Sequence, residues 1–418
     1  MQFTNVTCPH CGLLCDDLSV EVNEGLVKLT NPTNNSCASA FEDACIDGEL
    51  PSAQINGKNV SLDAAIERAS EILKNSSQPL INGMIADVQA CRAAIALTEK
   101  IGAVMDHANS NTMRPNIAVM QRMGKVKTTL SEARNRADNV IIFGSQALDR
   151  FPRLISRVLQ PEKSLGSEQT LHKTITIFDA NNCETSEQIK QHKGLNYHQF
   201  DAVSLDEIIQ AFHGIIQTTP ELSDDTDDMT RTLVELKNTL LNKNYTVLIW
   251  NTGLLDAIAA EQTIQTLTLI IKTLMKEIRC VGMPLGGSKG EITANQVITW
   301  QSGVPLPTAF MSGVPIHDPV THNAKSMLAN READAMLWLS TYRSTDTPPN
   351  TDIPTIVIGH ANMQCNDAAV FIPVGVPGID TRGLACRTDS VATLPLKKIR
   401  DINLPNASDI IEKITQQI

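Results

Sequence analysis

At 418 residues the chain is too long for one ordinary core and implies two or three domains, and its 42% hydrophobic and 19% charged content is that of a soluble globular protein. Lys and Arg number 35 against 46 Asp and Glu, a net charge of −11, which argues against the clustered basic surface that a nucleic acid requires. Aromatic residues at 4% are too few for stacking platforms to dominate the surface, so the expected partners are proteins and small molecules.

The chain opens MQFTNVTCPHCG, with no basic n-region, apolar h-region or twin-arginine pair, and no run of about 18 apolar residues follows anywhere. It therefore reads as cytoplasmic, with no membrane contact. Ten cysteines in such a chain are thiols or metal ligands rather than a disulfide framework. Three of them, Cys8, Cys11 and Cys15, fall within eight positions between turn residues, and Cys37 follows after a short segment. Four donors suit a [4Fe–4S] cluster or a tetrahedral zinc. Three clustered plus one distant fits the corners of a cluster better than zinc, which usually takes two close pairs. Reduced cysteines partly buried in a tight hairpin remain the alternative. Cys45, Cys91, Cys183, Cys280, Cys365 and Cys386 are dispersed and read as small core residues.

The Cys-rich segment is expected to end near residue 55. A helix then runs from Leu62 through Leu73, and Ser76-Ser77-Gln78-Pro79 breaks it before a strand at Leu80 to Gly83. Asp87 can cap the next helix, whose apolar residues Ala90, Ala94, Leu97 and Ile101 recur at helical spacing until Gly102 stops it. Strands follow at Val104 to Asp106, Asn139 to Gly144, Thr174 to Ala180, Tyr245 to Gly253 and Ile278 to Gly282. Helices are expected around Leu154 to Val158 and from about Ala257 to Met275. The acidic run Ser223 to Asp228 lacks the glycine and spacing of a calcium loop and reads as a solvated helix lead-in.

Pro284 to Gly290 is Gly-rich but lacks the spacing of a phosphate-binding loop, so a plain connection is as good a reading. Further strands are expected at Ala335 to Leu339, Thr355 to Gly359 and Ala368 to Pro373, and a closing amphipathic helix with Ser408 as its N-cap. Apolar strands alternating with helices predict α/β domains built on parallel sheets, where ligands sit at the carboxyl ends of strands. No catalytic constellation stands out. His107, His172, His192 and His317 are scattered, and Ser288-Lys289 is not set in a nucleophile elbow.

CPHCGLLCDDLSV resembles the opening of the B subunit of formylmethanofuran dehydrogenase, a relative of the molybdopterin and tungstopterin formate dehydrogenases. The resemblance continues through GAVMD (102–106), NRADNVIIFG (135–144), FPRLISR (151–157), NQVITWQSGVP (295–305), NREADAM (330–336) and IPVGVPGIDTRGLACR (372–387). It implies a molybdopterin-oxidoreductase-like α/β fold with a small N-terminal metal-binding segment. Residues 1–55 would form that segment, 56–107 with 285–418 one discontinuous domain, and 108–284 the other.

In the family, cysteines at the positions of Cys8, Cys11, Cys15 and Cys37 bind a [4Fe–4S] cluster that feeds a pterin-bound tungsten or molybdenum. That metal is held by the cysteine of a Cys-His-Gly-Pro run, which reads Thr112-Met113-Arg114-Pro115 here. A third active-site group, an arginine, falls on Gly286. The pterin-holding loops are altered as well, to Asp179-Ala180-Asn181-Asn182-Cys183 and Thr341-Tyr342-Arg343-Ser344. A Thr hydroxyl is a poor ligand for high-valent tungsten or molybdenum, and Met moves no protons. The pattern is similar to the B subunit of the bacterial formyltransferase/hydrolase complex. The resemblance implies a noncatalytic scaffold without molybdopterin or tungstopterin, bound to the other subunits of such a complex, with a methylofuran-type carrier nearby. An active molybdenum- or tungsten-dependent dehydrogenase subunit and a zinc-binding α/β protein are the alternatives.

Overall fold

The computed structural model describes every residue except 24, 32–34, 47, 167, 169–171, 181–184 and 287–289. The chain folds as two compact units, one of Met1–Ser110 with Gly287–Ile418 and one of Asn111–Gly286. The Cys-rich N-terminus thus belongs to the first unit, and the breaks fall at residues 110 and 287.

The first unit is built on a sheet whose central strands, in spatial order, are Val104–Met105, Pro79–Ile85, Ala335–Ser340, Thr355–His360 and Val370–Val374, all parallel. Short antiparallel strands close it, Thr308–Ala309 at one edge and Gln54–Ile55 with Lys58–Asn59 at the other. The central strands are buried along their whole length, which is why they read as unbroken apolar runs rather than alternating ones. One face is covered by helices Leu62–Asn75, Val88–Ile101, Glu291–Ser302 and Ala407–Gln417, which bury Ile66, Leu73, Leu97, Val297 and Ile411 against Ile81, Leu337 and Ile358.

Local chemistry sets the boundaries. Ser61 caps the first of these helices through the Ala64 N–H, and Asp87 caps the second by accepting from Gln89 and Ala90 N–H. Gly102 ends the second in the left-handed conformation. The Pro79–Ile85 strand runs further than its Asn82-Gly83 sequence suggests, because Gly83, at φ +83°, takes up a register shift opposite Trp338 and Ser340. A Cβ at position 83 would stand 2.7 Å from the Leu339 carbonyl oxygen, so glycine is required. The last helix starts at Ala407 with Asn406 at its cap position, not at Ser408, because Asn406 is the residue with extended backbone and Ser408 already lies inside the helix.

The second unit is a five-stranded parallel sheet in the order Leu195–Phe200, Thr174–Ala180, Asn139–Phe143, Tyr245–Trp250 and Arg279–Pro284. Helices Leu205–Gln217, Asp228–Leu240 and Ala260–Leu274 enclose a core that includes Phe143, Phe178, Phe212, Leu233, Leu248 and Leu267. The acidic run is a mostly exposed lead-in ending at Asp227, which caps the Asp228–Leu240 helix through the Thr230 N–H. The helix expected around Leu154 to Val158 is a single wide π-type turn, Ile155–Leu159. Among the described residues no helix is long and apolar enough to cross a membrane.

Candidate metal centre

The N-terminal cysteines sit on an antiparallel frame of strands Gln2–Val6, Leu18–Asn23 and Leu26–Leu29. Between the first two strands the chain folds into a tight loop, closed by the Cys8 N–H donating to the Cys15 carbonyl at 2.7 Å. Gly12 and Leu14 adopt positive φ inside it, at 76° and 51°. The loop is anchored to the rest of the first unit where Gly12 accepts from the Thr388 N–H at 2.8 Å and where Pro9 packs against Gly378. Cys37 comes from helix Asn35–Glu42, which lies against the Leu26–Leu29 strand.

Cys8, Cys15 and Cys37 are buried, Cys11 is half-buried, and all four are thiols rather than disulfides. Burial pushes the Cys8 thiol well above its ordinary range, and the nearby Cys11, Cys15 and Cys37 sulfurs push it further. Cys11 is raised to about 12 by burial and by Cys15 and Cys37. Cys8 and Cys11 resist ionisation through burial first and through the neighbouring sulfurs second, and a bound cation would favour their thiolates, since metal binding replaces the protons. Among the described residues no three His, Cys, Asp or Glu side chains are grouped as a single ion would need. One tetrahedral zinc would bring sulfurs to about 3.8 Å from one another. In a cubane cluster each thiolate binds its own iron, and the sulfurs stand farther apart.

The surrounding shell holds residues that the cysteine spacing does not single out. His10, inside the cysteine loop, is buried edge-on against Phe41 with ring centroids 5.1 Å apart, and neither ring nitrogen has a partner among the described residues. Burial, with Arg343 and His360 nearby, lowers its pKa to about 3, so it is neutral. Asp43, just past the Cys37 helix, accepts from Ser344 N–H at 2.8 Å and from the Ser344 hydroxyl, while the Asn362 amide donates to the Asp43 and Cys45 carbonyls. The Thr341 to Ser344 turn therefore holds the end of the Cys37 helix. Cys45 exchanges hydrogen bonds with the backbone of Val27, which explains it without a metal. Arg400 and Asp380 form a fully buried pair at 2.6 Å, and Arg400 also donates to the Gly25 carbonyl, clamping the N-terminal hairpin. Only His10 carries a sequence signal, its place between two candidate ligands. Ser344, Asn362, Asp380 and Arg400 lie hundreds of residues from the cysteine loop.

The positions that the resemblance assigns to a pterin-bound metal lie in the second unit. Thr112 and Met113 are in the first turn of helix Ser110–Met123, both half-buried. Gly286 follows the Arg279–Pro284 strand, and a Cβ there would meet nothing within 4 Å. Asp179 is fully buried and its carboxylate accepts from Ser145 N–H at 2.7 Å, the Ser145 hydroxyl and the Tyr197 hydroxyl, so it serves the fold. Asn181, Asn182 and Cys183, and Gly287, Ser288 and Lys289 of the Gly-rich loop, lie outside the described residues. Thr and Met supply neither thiolate nor proton acceptor, so the residues at these positions do not fit a pterin-bound tungsten or molybdenum.

Elsewhere in the first unit, Asp106 is buried and accepts from His107 N–H, the Ser110 hydroxyl and Ala324 N–H, and burial raises its pKa to about 6. His107 Nδ1 accepts from Asn109 N–H at 3.2 Å, its Nε2 has no partner among the described residues, and burial lowers its pKa to about 4.

No family model matches the chain. The B subunits of two tungsten-containing formylmethanofuran dehydrogenases 2 are similar to it. That of Methanocaldococcus jannaschii is 26% identical over 95% of this chain and 93% of the relative, and that of Methanococcus maripaludis 25% identical over 95% and 94%. The B subunit of the formyltransferase/hydrolase complex Fhc of Methylorubrum extorquens is 24% identical over 79% of this chain and 87% of its own length. In fold, the chain is similar to a chain of the crystallised FhcABCD complex of Methylorubrum extorquens with methylofuran, with a TM-score of 0.71, 23% identity, and coverage of 87% of this chain and 98% of that one. The parallel-sheet α/β architecture is thus shared with that solved chain. Over most of its length the chain is similar in sequence to formylmethanofuran dehydrogenase B subunits and to the Fhc B subunit.

Proposed function

We propose that this chain is the B subunit of a formyltransferase/hydrolase-type complex of one-carbon metabolism, a cytoplasmic scaffold whose redox site has been dismantled. One observation carries the reading: Thr112 and Met113 stand where a metal-bound thiolate and a proton-transferring histidine would be required. Gly286 supports it, because glycine stands where the family has its active-site arginine and brings no side chain of its own. The similarity to the Fhc B subunit and to a chain of a complex crystallised with methylofuran supports the partners, which are the other subunits and a methylofuran-type carrier. Catalysis then rests with those other subunits. The fold does not need the pterin, since each unit buries its own apolar core.

Cys8, Cys11, Cys15 and Cys37 would hold a [4Fe–4S] cluster, which supplies one-electron transfer or, without a redox partner, a structural staple. Three clustered cysteines plus one distant one, with their sulfurs near enough to interact, support this over zinc, which usually takes two close pairs. A second reading, an active tungsten or molybdenum dehydrogenase subunit, is favoured by the tungsten-containing relatives, which match over more of the chain than the Fhc B subunit does. The complex, purified with wild-type chain or with Thr112→Ala, separates the two. The scaffold reading expects formyl hydrolysis that requires the chain for assembly and is unchanged by the substitution, with no formate-dependent dye reduction. Dye reduction that Thr112→Ala abolishes would overturn it.

A further inference from the structure

The second unit holds a lysine whose surroundings suit its amine better than its ammonium. Lys125 follows Gly124, which turns the chain at φ +70° beyond helix Ser110–Met123, and is half-buried. With Asn116, Val119, Trp250, Ile264 and Ile271 it lines a small cavity of about 10 Å³, room for one small molecule and too little for an extended substrate. The helix-end carbonyls that a lysine here would reach are engaged, Met120's by Gly124 N–H at 2.9 Å and Met123's by Lys272 Nζ at 2.6 Å. Among the described residues no carboxylate bears on the Lys125 amine. Burial, followed by the Lys127 charge, lowers its pKa to about 8.

Two further groups in the cavity wall lack partners. Trp250 is 2% exposed, and its Nε1–H donates to nothing among the described residues. The Asn116 amide nitrogen donates to the Thr252 hydroxyl at 2.5 Å, while its buried Oδ1 accepts from nothing among them. Buried polar groups are costly to leave unpaired, so a wall that keeps one donor and one acceptor open suits a small group able to meet both. An ammonium supplies donors alone. A carbamate on the same nitrogen supplies an N–H and a carboxylate.

We propose that Lys125 is a carbamylation site, whose amine takes up CO2 to give a carbamate that accepts from Trp250 Nε1–H through a carboxylate oxygen and donates its N–H to Asn116 Oδ1. One carboxylate oxygen is about the size of a water and matches the cavity. The neutral amine is the attacking form. Its lone pair forms the N–C bond, one C=O electron pair moves onto oxygen, and one N–H proton leaves to solvent, so the amine and CO2 become a carbamate anion and a proton. Nothing is oxidised or reduced. The Lys127 charge that disfavours a second cation favours an anion on the same nitrogen. Every residue involved lies in the second unit, and the site does not depend on the scaffold reading.

To test this, the purified full chain is equilibrated near pH 8 with isotopically labelled bicarbonate and CO2. Carbamates are trapped as ethyl esters with a trialkyloxonium salt and located by peptide mass spectrometry. A pKa near 8 gives on the order of a hundredfold more neutral amine at that pH than an ordinary lysine, so Lys125 should carry label at least about tenfold above the mean of the exposed lysines. Trp250→Phe keeps an aromatic ring and removes the N–H, and should cut the Lys125 label about fivefold, with the melting temperature read alongside. Asn116→Leu, on the helix side of the cavity, removes the acceptor and should do the same if Trp250→Phe fails to fold. Label at Lys125 above the other lysines and lowered in a folded variant supports the proposal. Label at Lys125 no greater than at the exposed lysines overturns it, and so does undiminished label in the folded variants, which would mean that the cavity wall does not hold the carbamate.

Discussion

Replacing Arg400 by Met should destabilise the first unit by about 3 kcal/mol. The side chains of Arg400 and Asp380 are 3% and 1% exposed, with Nε 2.6 Å from one carboxylate oxygen, and the other oxygen takes the Val376 N–H at 2.9 Å. Removing one partner of such a buried pair leaves an uncompensated charge and costs about 3–5 kcal/mol. Against this, Arg400 Nη2 has no partner among the described residues, and losing that unsatisfied donor returns on the order of 1 kcal/mol. The substitution also removes the Arg400 contact to the Gly25 carbonyl, so amide exchange should rise in the 18–29 hairpin. Urea unfolding and the melting temperature measure the effect. About 3 kcal/mol should lower the midpoint of a unit this size by roughly 6–12 °C. The double variant Arg400→Met/Asp380→Leu should recover most of the loss, because a matched apolar pair needs no compensating charge. A single variant within about 1 kcal/mol of wild type, or a double variant as unstable as the sum of the two singles, would refute the reasoning.

Gly83→Ala should cost about 3 kcal/mol or more, since its Cβ meets the Leu339 carbonyl at a positive φ, whereas Gly57→Ala, at φ +72° with only the Asn366 carbonyl oxygen 3.7 Å away, should cost about 1 kcal/mol. Equilibrium denaturation distinguishes them. The pH profile should show two opposed contributions. Asp106, raised from 3.8 to about 6, binds its proton more tightly when folded, so its burial disfavours folding by about 3 kcal/mol above pH 6 and that penalty disappears as pH falls toward 3.8. His107, lowered from 6.5 to about 4, is held neutral, so stability of about 3 kcal/mol present above pH 6.5 is lost as pH falls toward 4. Between pH 6 and 4 they offset, and His107→Asn should leave a stability that rises on acidification across that window. A flat profile in the variant would contradict the assignment. Anaerobically purified Cys37→Ala should lose its iron, read by elemental analysis and by the visible absorption of the cluster, and full retention would exclude Cys37 as a ligand.

Much of the fold can be read from the sequence because the central strands are parallel and buried on both faces, so Ala335 to Leu339 and Thr355 to Gly359 stand out as apolar runs and the structure extends each by one residue. The edge strand Leu195–Phe200 is not visible, since Asn196, His198 and Gln199 interrupt its apolar pattern and its pairing with Thr174–Ala180 is a tertiary matter. Pro79–Ile85 reads short because Asn82-Gly83 looks like a turn, whereas the chain uses the glycine for a register shift within the strand. Around the candidate site, cysteine spacing is a local signal. The clamp from Arg400 to Gly25 and the grip of Ser344 on Asp43 are not, because each joins residues more than 300 positions apart and nothing in local pattern pairs them.

The central claim is that a four-cysteine cluster persists in a chain whose pterin-metal site is gone. Elemental analysis of the anaerobically purified complex for iron, zinc, tungsten and molybdenum tests it most directly. The account predicts about four irons per copy of this chain, lost in Cys8→Ala, with tungsten and molybdenum at background. Stoichiometric tungsten or molybdenum, or a chain that carries zinc and no iron, would contradict it.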